Sequence, residues 1–308
     1  MLDKICIHTF LTPGFMGWGE LFLEGLRFVH GERIHVRIDS RDLSDDQIEL
    51  LKRIYGNIEV HNRPFDWKAL STDTGVSIET IHEWRRGIER GEVTEKNYLF
   101  KIAISVNERY RSMQQVVQEV RAQGYELLLH SDADIYIRKS LGSLFEIMRD
   151  HDFSLFIRPN RPHRLAVVGG FLGFNLNDRT SEFMQCWMDQ IDAVPFTDRW
   201  IGFGQSALWF AIEASRDMNI ADLYTVSGAP GLSKKYEPDK ELWLGNSKDD
   251  GPTKVISIRK FWDDLLSRYP RIPLPVRTID ERIRTSVNRY FVRAKGLLCE
   301  ITNNTNLQ

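Results

Sequence analysis

Apolar residues in this chain fall into short unbroken blocks, separated by longer stretches in which they recur at helical spacing. Residues 5–10 (Ile-Cys-Ile-His-Thr-Phe), 34–38 (Ile-His-Val-Arg-Ile) and 58–60 (Ile-Glu-Val) form the first blocks. Short apolar runs bounded by turn residues predict strands, and a 3.6-residue recurrence predicts helices. Between the first two blocks, residues 20–30 carry Leu21, Leu23, Leu26, Phe28 and Val29 and close on Gly31, after a loop marked by Pro13, Gly14 and Gly17. Ser44, with Gln47 three residues on, is a capping box ahead of Ile48, Leu50 and Leu51. Strand, helix, strand, helix, strand predicts an α/β domain with a doubly wound parallel sheet.

The later pattern extends this. Residues 96–124 form a long helical pattern with a break near 109–111. Residues 127–129 have no polar face, which predicts a strand buried on both sides, as in a parallel sheet. A β-prone run at 135–137 follows, and Ser140 is placed to cap a helix over 141–149. Further strands are expected at 153–158, 167–175, 224–226 and 242–244, and helices at 180–191 and 203–215. Gly169, Gly170 and Gly173 within the 167–175 run permit close approach of a ligand or a neighbouring strand. Beyond Pro270, Pro273 and Pro275, residues 280–298 place Ile283, Val287, Tyr290, Phe291, Ala294 and Leu298 on one helical face. The expected organisation is one α/β domain over 1–260, with a helical insertion at 66–91, and a C-terminal helical extension over 261–308.

Composition narrows the function. The chain has 308 residues, 27% of them charged, with a formal net charge of -2, so it offers no general positive field to nucleic acid. Residues 69–87 imitate a helix-turn-helix, with Gly75 as the turn and Ser77 as a cap. Arg85, Arg86 and Arg90 there are offset by Glu79, Glu83, Glu89 and Glu92, so two inserted helices are expected rather than a DNA-binding unit. Cys6, Cys186 and Cys299 are sparse, odd in number and without metal-ligand spacing, which points to a reducing compartment. With no signal-like start and no apolar span of membrane length, a cytoplasmic location is the expectation.

The chemistry concentrates in Leu127-Leu128-Leu129-His130-Ser131-Asp132-Ala133-Asp134. Isolated acidic pairs are commonly solvated turns, but Asp132 and Asp134 follow a buried strand, and open α/β sheets bind ligands at the carboxyl ends of their strands. Two such carboxylates repel unless a cation lies between them, and hard oxygen ligands suit Mg²⁺ or Mn²⁺. A nucleotide would lie near His8, Thr9 and Phe10, at the end of the first strand. Arg109 is a candidate for its phosphates, since a guanidinium fork matches phosphate oxygens. Neither Gly-x-Gly-x-x-Gly nor a Walker-type Gly-Lys-Ser/Thr occurs, so a dinucleotide dehydrogenase or P-loop enzyme lacks its phosphate cradle.

In chain order, residues 101–110, the strand entering Asp132-Ala133-Asp134, Val168-Gly169-Gly170-Phe171, and Gly204-Gln205-Ser206-Ala207-Leu208 resemble GT-A fold glycosyltransferases. They are most similar to the retaining branch that includes glycogenin and the bacterial lipooligosaccharide glycosyltransferases. The resemblance implies a Rossmann-like, doubly wound, mostly parallel central sheet. It also implies metal-dependent transfer of a sugar from a nucleotide-diphosphate sugar to a glycan, lipid or protein acceptor. Asp132 and Asp134 would hold Mn²⁺ or Mg²⁺ and the diphosphate, with Ser131 beside them. Gly169 and Gly170 stand in the donor-sugar run, where the family has Asn-Ala-Gly-Val. Gln205 would lie beside the reacting carbon with Asp134 as its catalytic companion, although Gly204 replaces the acid of the family's Asp-Gln pair. The family's late His-Gly-Lys is missing, since no histidine follows His163. Asn246 is the expected replacement ligand, with Lys248 near the phosphates and Asp249 as an alternative. Because Gln205 carries no proton-accepting carboxylate, a retaining reaction is expected, with the leaving phosphate taking the proton. Asp198 and Glu213 lie close in sequence and leave an inverting base open.

Other readings use the same residues. A nucleotidyltransferase would employ the same carboxylate pair, and DNA binding through 69–87 is a third reading. An Asp-x-Asp phosphatase is disfavoured because Tyr136 sits where Thr or Val is wanted. The 280–298 helix carries Arg282, Arg289 and Arg293 beside its apolar face. It either packs on the domain, the preferred reading, or makes peripheral contact with an anionic membrane.

Overall fold

A computed structural model describes residues 2–89, 108–158, 161–162, 166–195, 199, 202–233 and 242–244. The expected sheet is present. Strands β1 (Ile5–Leu11), β2 (His35–Arg41), β3 (Ile58–Arg63) and β4 (Leu127–Ser131) pair in parallel in the order β3-β2-β1-β4. Helix α1 (Met16–His30) connects β1 to β2, and α2 (Asp45–Ile54) connects β2 to β3. The chain thus winds one way from β1 through β3 and resumes at β4 on the other side of β1. That reversal opens a crevice at the carboxyl ends of β1 and β4, where such sheets take their ligands.

Past β4 the direction changes. β7 (Val167–Asn175) is antiparallel to both β4 and β6 (Phe153–Ile157), and β8 (Ile220–Asp222) pairs in parallel with β6, completing a seven-stranded sheet. β4 is buried along its whole length, as its unbroken apolar run requires, but one of its neighbours is antiparallel. Such a run reports burial of both faces and carries no information on neighbour direction. A smaller sheet joins β5 (Ile135–Ile137), β9 (Leu232–Ser233) and β10 (Leu242–Leu244) in the order β5-β10-β9.

Side chains alternate across the main sheet and build a core on each face. Ile7, Val36 and Leu129 face one way and pack with Leu23 and Leu26 of α1 and Leu51 of α2. Cys6, Leu128 and Leu172 face the other way, toward Met113 and Val117 of α5 (Arg109–Ala122), Trp187 of α7 (Asp178–Asp192) and Leu208 of α8 (Phe203–Ala214). Full burial of each such aliphatic side chain contributes about 1.5–3 kcal/mol. The insertion is helical as expected: α3 (Trp67–Thr74) and α4 (Ile78–Glu89) join at Gly75 in the left-handed region (φ 66°), with Leu70 and Ile81 buried.

The capping box forms, Ser44 Oγ accepting from Gln47 N (3.3 Å) and Gln47 Oε1 from Ser44 N (2.9 Å). Among the departures from the sequence expectation, three have a local cause. α1 starts at Met16 rather than 20, because a 3₁₀ turn at Pro13–Phe15 feeds directly into it and Gly17 is helical. α6 (Gly142–Asp150) starts one residue late, with Leu141 at its N-cap and Ser140 Oγ accepting from Gly142 N (3.2 Å). The strand expected at 224–226 is a turn: the Asp222 carboxylate accepts from Tyr224 N (3.0 Å) and the Asp222 carbonyl from Thr225 N (2.9 Å) and Val226 N (3.0 Å). The edge strand ends at Asp222 instead. α5 is described from Arg109, with Glu108 before it in the right-handed helical region; the preceding part of the 96–124 pattern, residues 96–107, lies outside the described residues, as does the extension at 261–308. Among the described residues, no helix is long and apolar enough to cross a membrane.

Candidate active site

Asp132 follows the last residue of β4 and is tied to β7 by a hydrogen bond from its backbone N–H to the Gly170 carbonyl (2.6 Å). Gly170 is a glycine for a local reason. A Cβ there would come within 2.2 Å of Asp132 Oδ2, so the missing side chain makes room for the carboxylate. Arg109, the first residue of α5, places Nη1 on both oxygens, 2.8 Å from Oδ1 and 3.1 Å from Oδ2. Burial alone would raise the Asp132 pKa, but Arg109 and then His130 outweigh it and hold the carboxyl below its usual range. Burial works against the Arg109 charge in turn, and Asp132, Tyr110 and Asp134 more than restore it.

Gln205, 73 positions further along the chain than Asp132, stands against Gly169, the neighbour of Gly170 in β7. It lies in the first turn of α8, behind Gly202 in the left-handed region (φ 87°), and is half-buried. A Cβ on Gly169 would stand 3.0 Å from Gln205 Cγ and 3.0 Å from the Tyr110 hydroxyl. One on Gly204 would meet Tyr110 Cε2 at 2.0 Å. Two glycines thus admit the Tyr110 ring between β7 and the start of α8, against Trp187 (ring centroids 4.7 Å), whose Nε1 donates to the Gly204 carbonyl (3.0 Å). Arg109 Nη2 donates to the Tyr110 hydroxyl. The Asp132–Arg109–Tyr110 chain therefore ends against Gly169, and Gln205 packs on that same glycine.

Asp134 is half-buried just ahead of β5. Its charge reaches Arg109, and with burial it pushes the Tyr136 hydroxyl well above its ordinary value. Asp132 and Asp134 are thus two oxygen donors around one guanidinium, a donor set whose chemistry fits Mg²⁺ or Mn²⁺. Among the described residues, no group of three His, Cys, Asp or Glu side chains is placed to hold a metal ion. Asn246 and Lys248 lie outside the described residues, as does Asp198.

The residues expected around a nucleotide divide. Phe10 is half-buried near the end of β1, with the Arg41 guanidinium over its ring (5.6 Å). His8 and Thr9 are fully buried inside the sheet, and Ser131 is buried with its hydroxyl donating to the Asp132 carbonyl (3.2 Å). Behind Asp132 lies His130, fully buried, its Nε2 3.7 Å from Asp132 Oδ1 and its Nδ1 3.0 Å from His8 Nδ1. Burial pushes the His130 pKa down to about 4. Sequence reading passes over Tyr110 and His130. A tyrosine beside an arginine at a helix start and a histidine inside an apolar strand carry no pattern of their own. Only the glycines facing Tyr110 hint at it.

The chain matches no protein-family profile and no curated protein. Solved structures do resemble it. One is the galactosyltransferase LgtC in complex with donor and acceptor sugar analogs, 11% identical over 87% of this chain and 97% of that one, TM-score 0.49. Another is the glycosyltransferase GlyE of Streptococcus pneumoniae TIGR4, 11% identical over 94% of this chain and 63% of that one, TM-score 0.46. A third, from Desulfovibrio desulfuricans G20 and described as a nucleotide-diphospho-sugar transferase, is 10% identical over 71% of this chain and 79% of that one, TM-score 0.39.

Proposed function

We propose that this chain is a GT-A type glycosyltransferase, taking a sugar from a nucleotide-diphosphate sugar at the crevice between β1 and β4. The observation that carries the reading is the ionised Asp132 at the end of β4, seated in the space of Gly170 and gripped by Arg109. Asp132 and Asp134 would hold Mn²⁺ or Mg²⁺. Bound there, the ion supplies Lewis-acid stabilisation of charge developing on the leaving diphosphate. Arg109 keeps a full positive charge beside that position, and its two terminal nitrogens are aimed by Asp132 and by the Tyr110 hydroxyl. Such a preset guanidinium stabilises phosphate charge without reorganising. Gln205, across Gly169, can donate and accept hydrogen bonds but takes up no proton, which favours a retaining reaction in which the leaving phosphate receives the acceptor's proton.

A thermal-shift screen tests the proposal. Nucleoside diphosphates with Mn²⁺ raise the unfolding temperature, and the matching nucleotide sugar raises it further; at a ligand concentration 100 times Kd the gain is about 2.7 kcal/mol. Stabilisation by nucleoside triphosphates alone would replace this reading by nucleotidyl transfer.

A further inference from the structure

Three adjacent strands place ionisable side chains in one cross-strand row. His8 is the register partner of Arg37 in β2 and of His130 in β4, and all three side chains are buried, Arg37 at 1% and both histidines at 0% exposure. His8 and His130 share the parity of Cys6 and Leu128, so this row lies on the face beneath α5. It extends at both ends. Arg37 Nε reaches Asp39 Oδ1 (3.3 Å), and its Nη1 reaches Glu119 of α5 (2.6 Å). Asp39 also accepts from Ser112 of α5 (2.5 Å) and faces His8 Nε2 at 3.4 Å. At the other end His130 Nε2 faces Asp132, and Asp132 returns to α5 through Arg109.

The side chains therefore follow one another around a ring: α5, Arg37 and Asp39, His8, His130, Asp132, and α5 again, with His8 Nε2 and His130 Nε2 facing their carboxylates without a hydrogen bond. A buried polar row of this kind stabilises a fold less than well-packed apolar residues of equal volume would. Its distinctive property is fixed geometry, since each buried member packs against the next and the two imidazoles are joined by a hydrogen bond. We propose that His8, a full strand away from Asp132, is a positioning residue that holds the Asp132 carboxylate through His130. The proposal rests on the reading of Asp132 as part of a metal and diphosphate site, where groups behind the ligands set ligand orientation.

Two measurements test it. In ligand-free protein with ¹⁵N-labelled histidine, Asp132→Asn moves the ring resonances of both His130 and His8. Movement confined to His130 would overturn the proposal. In the second, the Mn²⁺ dissociation constant is read by water-proton relaxation. It rises about tenfold in His8→Leu, whereas His8→Asn, which keeps a polar atom toward His130, stays close to the native value. An unchanged constant in His8→Leu, or equal losses in both variants, would contradict positioning through the bridge. A native protein that binds no Mn²⁺ would remove the functional reading, and the resonance experiment would then decide the positioning alone.

Discussion

One absent methyl group sets the geometry of the site. Gly170→Ala would put a carbon 2.2 Å from Asp132 Oδ2, in a strand whose carbonyl also binds the Asp132 N–H, so the carboxylate has to turn away. We expect this variant to fold, at a cost of about 1–3 kcal/mol, and to lose the Mn²⁺-dependent response to nucleoside diphosphates in a thermal-shift assay. Gly204→Ala differs in kind, because its Cβ meets the Tyr110 ring at 2.0 Å, and that ring is trapped against Trp187. Its expected effect is a larger fall in unfolding temperature, measured without any ligand. Arg109→Ala leaves Asp132 without its strongest partner. Both side chains are partly exposed, 17% and 29%, so the stability loss should stay below the roughly 3–5 kcal/mol of a fully buried pair. The place of Asp132 and Asp134 just past a buried strand was legible in the sequence, because acids directly after an apolar run carry that pattern. Tyr110 and His130 were not, since their roles depend on glycines and a strand far away in sequence.

Among the elements, the end of α1 is latched to the start of α6. The backbone N–H of Leu141 donates to His30 Nε2 (3.2 Å), and His30 is buried, with its pKa pushed down to about 4 by burial and then by Arg33. An unfolded histidine titrates near ~6.5. Between about 4 and ~6.5 the unfolded chain therefore binds the extra proton. The contribution of His30 to stability is complete above that window and is lost as the pH falls through it. Buried His130 acts in the same direction. Chemical denaturation followed from pH 7 to pH 4 should show stability falling, and His30→Gln, whose amide oxygen can accept from Leu141, should show a shallower fall. Element types were read well from periodicity, down to the capping box at Ser44 and Gln47. Direction was not, because β4 presents the same apolar run to parallel β1 and antiparallel β7. Residues 224–226 look like a strand, yet the Asp222 carboxylate captures the backbone that a strand would need.

For the molecule as a whole, the winding β3-β2-β1-β4 places Asp132 at the reversal point, α5 delivers Arg109 and Tyr110 to it, and β7 and α8 bring Gly170 and Gln205 from the far half of the chain. β4, α5 and β7 thus meet at one carboxylate, with Gln205 of α8 against the neighbouring Gly169. Titration calorimetry of UDP and GDP, with and without Mn²⁺, on the native chain, Asp132→Ala and Asp134→Ala decides whether this place binds a nucleotide through a metal ion. At least one nucleotide is expected to bind the native chain only with Mn²⁺, and to bind neither variant, each retaining its native circular dichroism. Mn²⁺-dependent binding of undiminished affinity in Asp134→Ala would contradict the proposed metal site.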